Sequence, residues 1–127
     1  MAGRLRCPQC GAGVTVAGGT VSCVAGHSYD IARQGYVSLP AAGRRAPPAG
    51  DSEEMVAARD EFLGAGHFAR IVTAVCVAGR AGAGRGDGRE GCVVDVGAGT
   101  GYYLAGVVGE LAGWKGVALD ASRPALR

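Results

Sequence analysis

Cys7-Pro8-Gln9-Cys10 is followed, after twelve residues, by Cys23 and then, four positions on, by His27. A Cys-x-x-Cys turn sets two sulfurs on one side, with the intervening backbone N–H groups able to donate to them. Cys23 and His27 supply a second pair. Four sulfur and nitrogen donors in a tetrahedron are what structural zinc takes. A redox Cys-x-x-Cys usually sits beside a thioredoxin-like β-α-β pattern, which is absent around these residues. The plainer alternative, two ordinary buried cysteines and a surface histidine, accounts for the residues but not for their spacing. A module this small buries little core, so bound metal would supply most of its folding free energy. The remaining cysteines, Cys76 on a helical face and Cys92 opening a strand, read as core packing.

The second constellation is Val93-Val94-Asp95-Val96-Gly97-Ala98-Gly99-Thr100-Gly101. Glycines between a strand and a helix let the backbone turn tightly and let a ligand approach its N–H groups. The chain holds 24 glycines, so single ones are weak evidence and the strand-loop-helix context has to carry the reading. A dinucleotide fingerprint, G-x-G-x-x-G, would need glycine where Tyr102 stands. S-adenosylmethionine (SAM) carries an ammonium and a sulfonium but no phosphate, and Asp95 beside the loop suits that cationic end. Asp120 closes the next strand, where a carboxylate can accept both hydroxyls of a ribose. The plainer alternatives are a solvated strand-end acid for Asp95 and a turn residue for Asp120.

The elements that must position these residues can be read from pattern. Val14–Val16 and Thr20–Ser22 flank Gly18-Gly19 as a hairpin that would bring the two ligand pairs together, and Tyr36–Leu39 reads as a third strand. Residues 1–40 form the zinc module, 41–50 a proline-rich linker, and 51–127 the start of a second domain. A helix is predicted from Asp51, capped by Asp51 or Ser52, with Asp51-x-x-Glu54 as a capping box. Its stripe is Met55, Val56, Arg59, Phe62 and Leu63, and Gly64-Ala65-Gly66 ends it. A second helix runs from His67 to about Arg80, with Phe68, Ile71, Val72, Val75 and Cys76 on its apolar side. Residues 79–91 read as a flexible low-complexity loop. Cys92–Val96, a helix from Tyr102 to Leu111, and Gly116–Asp120 form a β-α-β unit, with Ser122 capping a further turn.

Composition bounds the rest. The net charge of +2 does not by itself argue for nucleic-acid binding, which needs clustered Lys and Arg. The odd count of five cysteines, spaced as described, does not suggest a disulfide framework. The start lacks an apolar signal-peptide core and no apolar run approaches the ~18 residues of a membrane span. A cytosolic, reducing location without membrane contact is the expectation.

Taken together, these motifs resemble the RlmA/TlrB-type 23S ribosomal RNA guanine-N1-methyltransferases. Besides the ligand pairs and the glycine loop, the resemblance is carried by Tyr29-Asp30-x-Ala32-Arg33-x-Gly35-Tyr36-Val37-x-Leu39. It is carried equally by Gly50-Asp51-Ser52-x-Glu54-Met55-x-x-Ala58-Arg59-x-x-Phe62-Leu63-x-Ala65-Gly66-His67-Phe68. It implies a zinc-ribbon-like module followed by two helices and the first β-α-β unit of a class I, Rossmann-like SAM-methyltransferase sheet. It implies zinc on Cys7, Cys10, Cys23 and His27. It implies SAM near Phe68, with Gly99 and Thr100 lining the cofactor, beside the Asp95, Gly97, Gly101 and Asp120 read from the loop and strand ends themselves. Family members often have Tyr at the Phe68 position and Glu at the Thr100 position.

The implied partner is 23S rRNA, in the hairpin 35 region, with the zinc module helping to recognise it. A homodimer is compatible with this reading. Members of the TlrB kind protect ribosomes against tylosin-type macrolides. Arg4, Arg6, Arg33, Arg44 and Arg45 are candidate phosphate contacts, and equally ordinary surface charges. Relatives run roughly twice as long, so the chain is expected to be an N-terminal portion. Residues that remove the guanine N1 proton and present the base are not among its motifs. Two alternatives stand beside this reading: an inactive remnant whose zinc module binds RNA, and a SAM methyltransferase of another substrate.

Overall fold

The computed structural model describes residues 5–39, 50–83 and 91–127. Two compact units divide the chain, with the boundary between residues 48 and 49. Residues 41–49 of the predicted 41–50 linker, the segment 84–90, and Arg4, Arg44 and Arg45 lie outside the described residues.

The first unit is a three-stranded antiparallel sheet in the order β1 (Val14–Ala17), β2 (Thr20–Cys23), β3 (Ser28–Asp30). The hairpin expected around Gly18-Gly19 is present, with Val14 opposite Cys23 and Val16 opposite Val21. The third strand differs from the sequence expectation. Tyr36–Leu39 is not a strand; it touches the sheet through one isolated bridge, Ile31 to Val37. The reason is local. The Cys23 amide donates to the His27 carbonyl and the Gly26 amide to the Cys23 carbonyl, so the chain reverses at once and Ser28–Asp30 takes the edge beside β2. A second tight turn, Gly35 amide to Ala32 carbonyl, folds the chain back so that the Tyr36 carbonyl accepts from the Ala32 amide, and the pairing goes no further than the Ile31–Val37 bridge. Cys7, Val14, Val21 and Tyr29 form the small core, so a metal ligand is itself a core residue.

The second unit opens with α1 (Glu53–Gly64), whose N-cap is Ser52: its hydroxyl accepts from the Met55 amide. The capping box is not formed. With the cap at Ser52, Glu54 stands too early to reach back, and instead accepts from the Ser52 hydroxyl at 2.7 Å. Of the predicted stripe only Leu63 is buried, while Met55 and Phe62 are exposed. The helix packs against a short 3-10 turn at Pro124–Leu126.

Next comes α2 (Ala69–Ala83), starting two residues later than expected and running through Arg80 into the glycine-rich stretch. Residues 79–83, read as loop, are helix because they pack on α3 (Tyr102–Glu110). Gly79 and Gly106 permit that approach; a Cβ at Gly106 would lie 2.7 Å from Val72 Cγ1. Val72 and Cys76 join Val107 and Leu111 in the core, whereas Ile71 and Val75 are exposed.

Two parallel strands complete the unit: β4 (Cys92–Val96) and β5 (Lys115–Leu119), in register from Cys92 opposite Lys115 to Val96 opposite Leu119. The helix α3 joins and packs on both, with Leu104 and Val108 against Gly116. This is the expected β-α-β unit. Its outward side chains Val94, Val96 and Leu119 are exposed, Val96 at 81%. No single helix among the described residues is long and apolar enough to cross a membrane. The pair α1 and α2 meets the length and composition test jointly but bends by 85° at its break.

Candidate functional site

In the first unit, the thiols of Cys7, Cys10 and Cys23 and the ring of His27 converge, each offering one atom within 4.8 Å of the others. His27 presents Nδ1, at 3.6 Å from Cys7 Sγ and 3.5 Å from Cys23 Sγ. Cys10 Sγ lies 3.7 Å from Cys23 Sγ. Tetrahedral zinc, with bonds of ~2.3 Å to sulfur and ~2.0–2.1 Å to nitrogen, sets ligand atoms ~3.5–3.8 Å apart. These three separations match edges of a zinc tetrahedron, and the donor set is one zinc prefers.

The sequence positions each donor by short-range backbone geometry. The Cys7–Cys10 turn closes with the Gly11 amide on the Cys7 carbonyl and the Cys7 amide on the Ala12 carbonyl. The Tyr29 hydroxyl, 3.4 Å from Cys7 Sγ, lowers the Cys7 thiol to about 6, helped by the amides of Gln9 and Cys10 and opposed by desolvation. The same contact raises the Tyr29 phenol to about 12. At Cys10 the Ala12 amide works downward, but desolvation and the neighbouring Cys7 and Cys23 thiols leave its thiol raised. Sequence reasoning quoted Tyr29 only as part of a motif. The available signal was alternation: two positions beyond His27 along an extended chain, a side chain returns to the same face.

In the second unit, Gly97, Gly99 and Gly101 have φ of +79°, +54° and +78°. All three stand in the left-handed region that side chains avoid, so here glycine is required rather than merely abundant. The loop is pinned from β5: the amides of Gly97 and Ala98 donate to the Leu119 carbonyl at 2.7 and 3.1 Å. The Asp120 carboxylate does the rest. One oxygen accepts from the Gly99 amide at 2.8 Å, the other from the Ser122 amide at 2.7 Å. The Ser122 amide holds Asp120 below the ordinary carboxylate range; partial burial opposes this, and the amides of Gly99 and Ala121 and the Arg59 guanidinium add to it. Asp120 is thus first a loop-holding residue. A carboxylate offers about four acceptor positions, so the two amides leave room for further donors.

Two features of the loop fit a bound cofactor. The Thr100 hydroxyl oxygen is buried and has no hydrogen-bond partner among the described residues. The space above the loop is open: a Cβ at Gly97 or Gly101 would meet nothing within 4 Å, and at Gly99 only Arg59 Nη1 at 3.8 Å.

Ser122 and Arg59 were not expected here in these roles. The buried Ser122 hydroxyl donates to the Asp51 carbonyl at 2.9 Å, and Arg59 pairs with the Asp51 carboxylate. The Ser122 bond ties the start of α1 to the segment after β5, while the Arg59–Asp51 pair lies within the α1 region itself. Asp95 lies half-buried in β4 opposite Ala118. Phe68 is placed in the turn before α2, with its ring edge-on to Phe62 at 5.6 Å. Phe62 follows Arg59 by one helical turn and shares its face of α1. Arg6 and Arg33 are exposed on the first unit.

Four converging zinc-type donors in one unit, and in the other a β-α-β unit of the kind that opens a Rossmann-like sheet, define the class. Comparison with known proteins gives the family. Residues 5–45 match a family described as RlmA, N-terminal, a zinc ribbon. The chain is 46% identical to a protein of Micromonospora griseorubida named "Putative 23S rRNA (guanine-N(1)-)-methyltransferase", over 97% of this chain and 46% of that protein. It is 44% identical to the 23S rRNA (guanine(748)-N(1))-methyltransferase of Streptomyces fradiae, over 97% of this chain and 42% of that protein. The resemblance read from the motifs is borne out: the first unit matches the RlmA N-terminal zinc ribbon, and nearly the whole chain is similar to proteins named 23S rRNA (guanine-N1)-methyltransferases. It spans about half the length of the curated relatives it matches.

Proposed function

We propose that this chain serves SAM-dependent methylation of a guanine N1 in 23S rRNA, in the loop of hairpin 35, with protection against tylosin-type macrolides as the resulting phenotype. The observation supporting this most directly is one of conjunction. A chain 44–46% identical to such enzymes over 97% of its length carries both a zinc-type donor tetrad and a left-handed glycine loop held by Asp120.

In this reading Cys7, Cys10, Cys23 and His27 hold zinc, whose work is structural: it fixes a sheet too small to fold on its own core. Exposed Arg6 and Arg33 on that unit are offered to RNA phosphates, the contacts that position rather than specify. SAM, when bound, supplies the electrophilic methyl group on its sulfonium. Gly97, Gly99 and Gly101 keep the backbone open to it. Asp95 offers negative charge to its cationic end, Thr100 an unpaired hydroxyl, and Phe68 an apolar ring face. Asp120 keeps the loop in place through Gly99 while retaining acceptor capacity for ribose hydroxyls. On this reading the protein works in the cytoplasm, where its ribosomal RNA substrate is.

A second reading, an RNA-binding zinc module without transfer activity, rests on the first unit alone, which holds the donor tetrad and the exposed Arg6 and Arg33. One assay separates the readings. Unmodified 23S rRNA is incubated with tritiated SAM and either this chain or a chimera extending it with the C-terminal part of the Streptomyces fradiae relative. Transfer to a guanine N1 of hairpin 35 by the chimera alone is the expected result. Transfer by neither, while the chimera is folded, overturns the substrate assignment, and size measurement of both proteins tests for a homodimer.

A further inference from the structure

We propose that Tyr29 is a positioning residue of the metal centre: its phenol donates a hydrogen bond to the Cys7 sulfur and fixes that ligand from the core side. The inference rests on the zinc reading of the tetrad and goes beyond it, because Tyr29 is not a ligand.

Three observations carry it. The Tyr29 oxygen lies 3.4 Å from Cys7 Sγ, within hydrogen-bond reach for sulfur. Both residues are buried, Cys7 at 2% and Tyr29 at 8% exposure, so water does not compete for the contact. The ring is locked by sheet register: Tyr29 stands opposite Val21 across β2 and β3, and both belong to the core that includes Cys7 and Val14. A buried phenol needs a partner for its O–H, and the sulfur is the one in reach. Groups of this kind behind a ligand orient it and tune the metal, and their loss typically costs 10–100-fold in metal affinity.

The same geometry explains why a tyrosine rather than a phenylalanine occupies the core here. Phenylalanine would fill the space equally well and leave the sulfur with one donor fewer. The hydroxyl stabilises the thiolate over the thiol, which makes the sulfur harder to protonate and so slower to leave the metal.

The test uses the full 127-residue chain with Zn2+ or Co2+ as probe, and the variants Tyr29→Phe and Val21→Ala. Tyr29→Phe keeps the ring and removes only the hydroxyl; Val21→Ala loosens the core and keeps it. The expected result for Tyr29→Phe is about 10-fold faster zinc transfer to a chromophoric chelator. Its Co2+ form should also show a sulfur-to-cobalt charge-transfer band displaced to lower energy. Val21→Ala should speed release without moving the band. Identical band position in wild type and Tyr29→Phe, or equal displacement in both variants, would overturn the positioning role. If the wild-type chain takes up neither metal, it is the zinc reading that falls, and this inference with it.

Discussion

Replacing Asp120 by asparagine should free the glycine loop. In the structure the carboxylate accepts from two backbone amides, Gly99 at 2.8 Å and Ser122 at 2.7 Å. An asparagine keeps one acceptor oxygen. Its NH2 must face the other amide, donor against donor. Hydrogen bonds to a charged acceptor are worth about 1.5–3 kcal/mol each, neutral ones about 1. One charged bond is lost and the other becomes neutral, and water can reach part of the site. A net cost of about 2 kcal/mol follows, equivalent to ~30-fold faster local opening. The assay is amide hydrogen exchange read by NMR, with Gly99 and Ser122 as reporters and the Val107 amide in α3 as the internal reference. Unchanged exchange at Gly99 would refute the reasoning, since the loop would then be held by the Leu119 carbonyl alone. Acid gives an independent check. The Asp120 pKa is lowered on folding, so its stabilisation is complete above the unfolded value of ~3.9 and is lost as pH falls through the folded one. Wild-type protection at Gly99 should therefore decline below pH ~4, and the asparagine variant should lack that step.

Three further outcomes are expected. Chelating zinc, or replacing Cys10 by serine, should abolish exchange protection in β1–β3, because the core of that unit includes a ligand; protein purified without chelator that contains no stoichiometric metal would contradict this. Gly99→Val forces a β-branched residue to φ +54°, at a cost of roughly 1–2 kcal/mol, and fills the open space above the loop; calorimetry on the chimera showing equal SAM affinity with and without the change would count against the site. Gly106→Val should destabilise the second unit by about 1–3 kcal/mol, since even a Cβ there meets Val72 at 2.7 Å; an unchanged urea midpoint would mean that α2 and α3 can separate freely.

Much of both sites was legible in the sequence because both depend on short-range spacing. Cys-x-x-Cys and Cys-x-x-x-His each fix two donors through one turn, and a hairpin of the expected length joins them. The glycine loop was legible for the same reason: strand, loop and helix are contiguous from Cys92 to Glu110. The third strand was not, because Tyr36–Leu39 has strand composition but the turn at Cys23–His27 had already delivered Ser28–Asp30 to that edge. The end of α2 was misjudged because glycine-rich sequence has low intrinsic helicity, and packing on α3 overrides it.

What the sequence by itself determined, then, was the chemistry: which donors, which loop, and which elements carry them. Tertiary structure decided who supports that chemistry. Tyr29 meets Cys7 across 22 residues of chain, Asp120 meets Gly99 across 21, and Ser122 meets Asp51 across 71. Alternation can mark the face on which Tyr29 lies, but no local spacing names the partner of a hydrogen bond over such a separation. Such a bond exists only once the sheet register and the helix packing have brought the two ends together, and each of these three contacts holds a residue that the motifs had already marked.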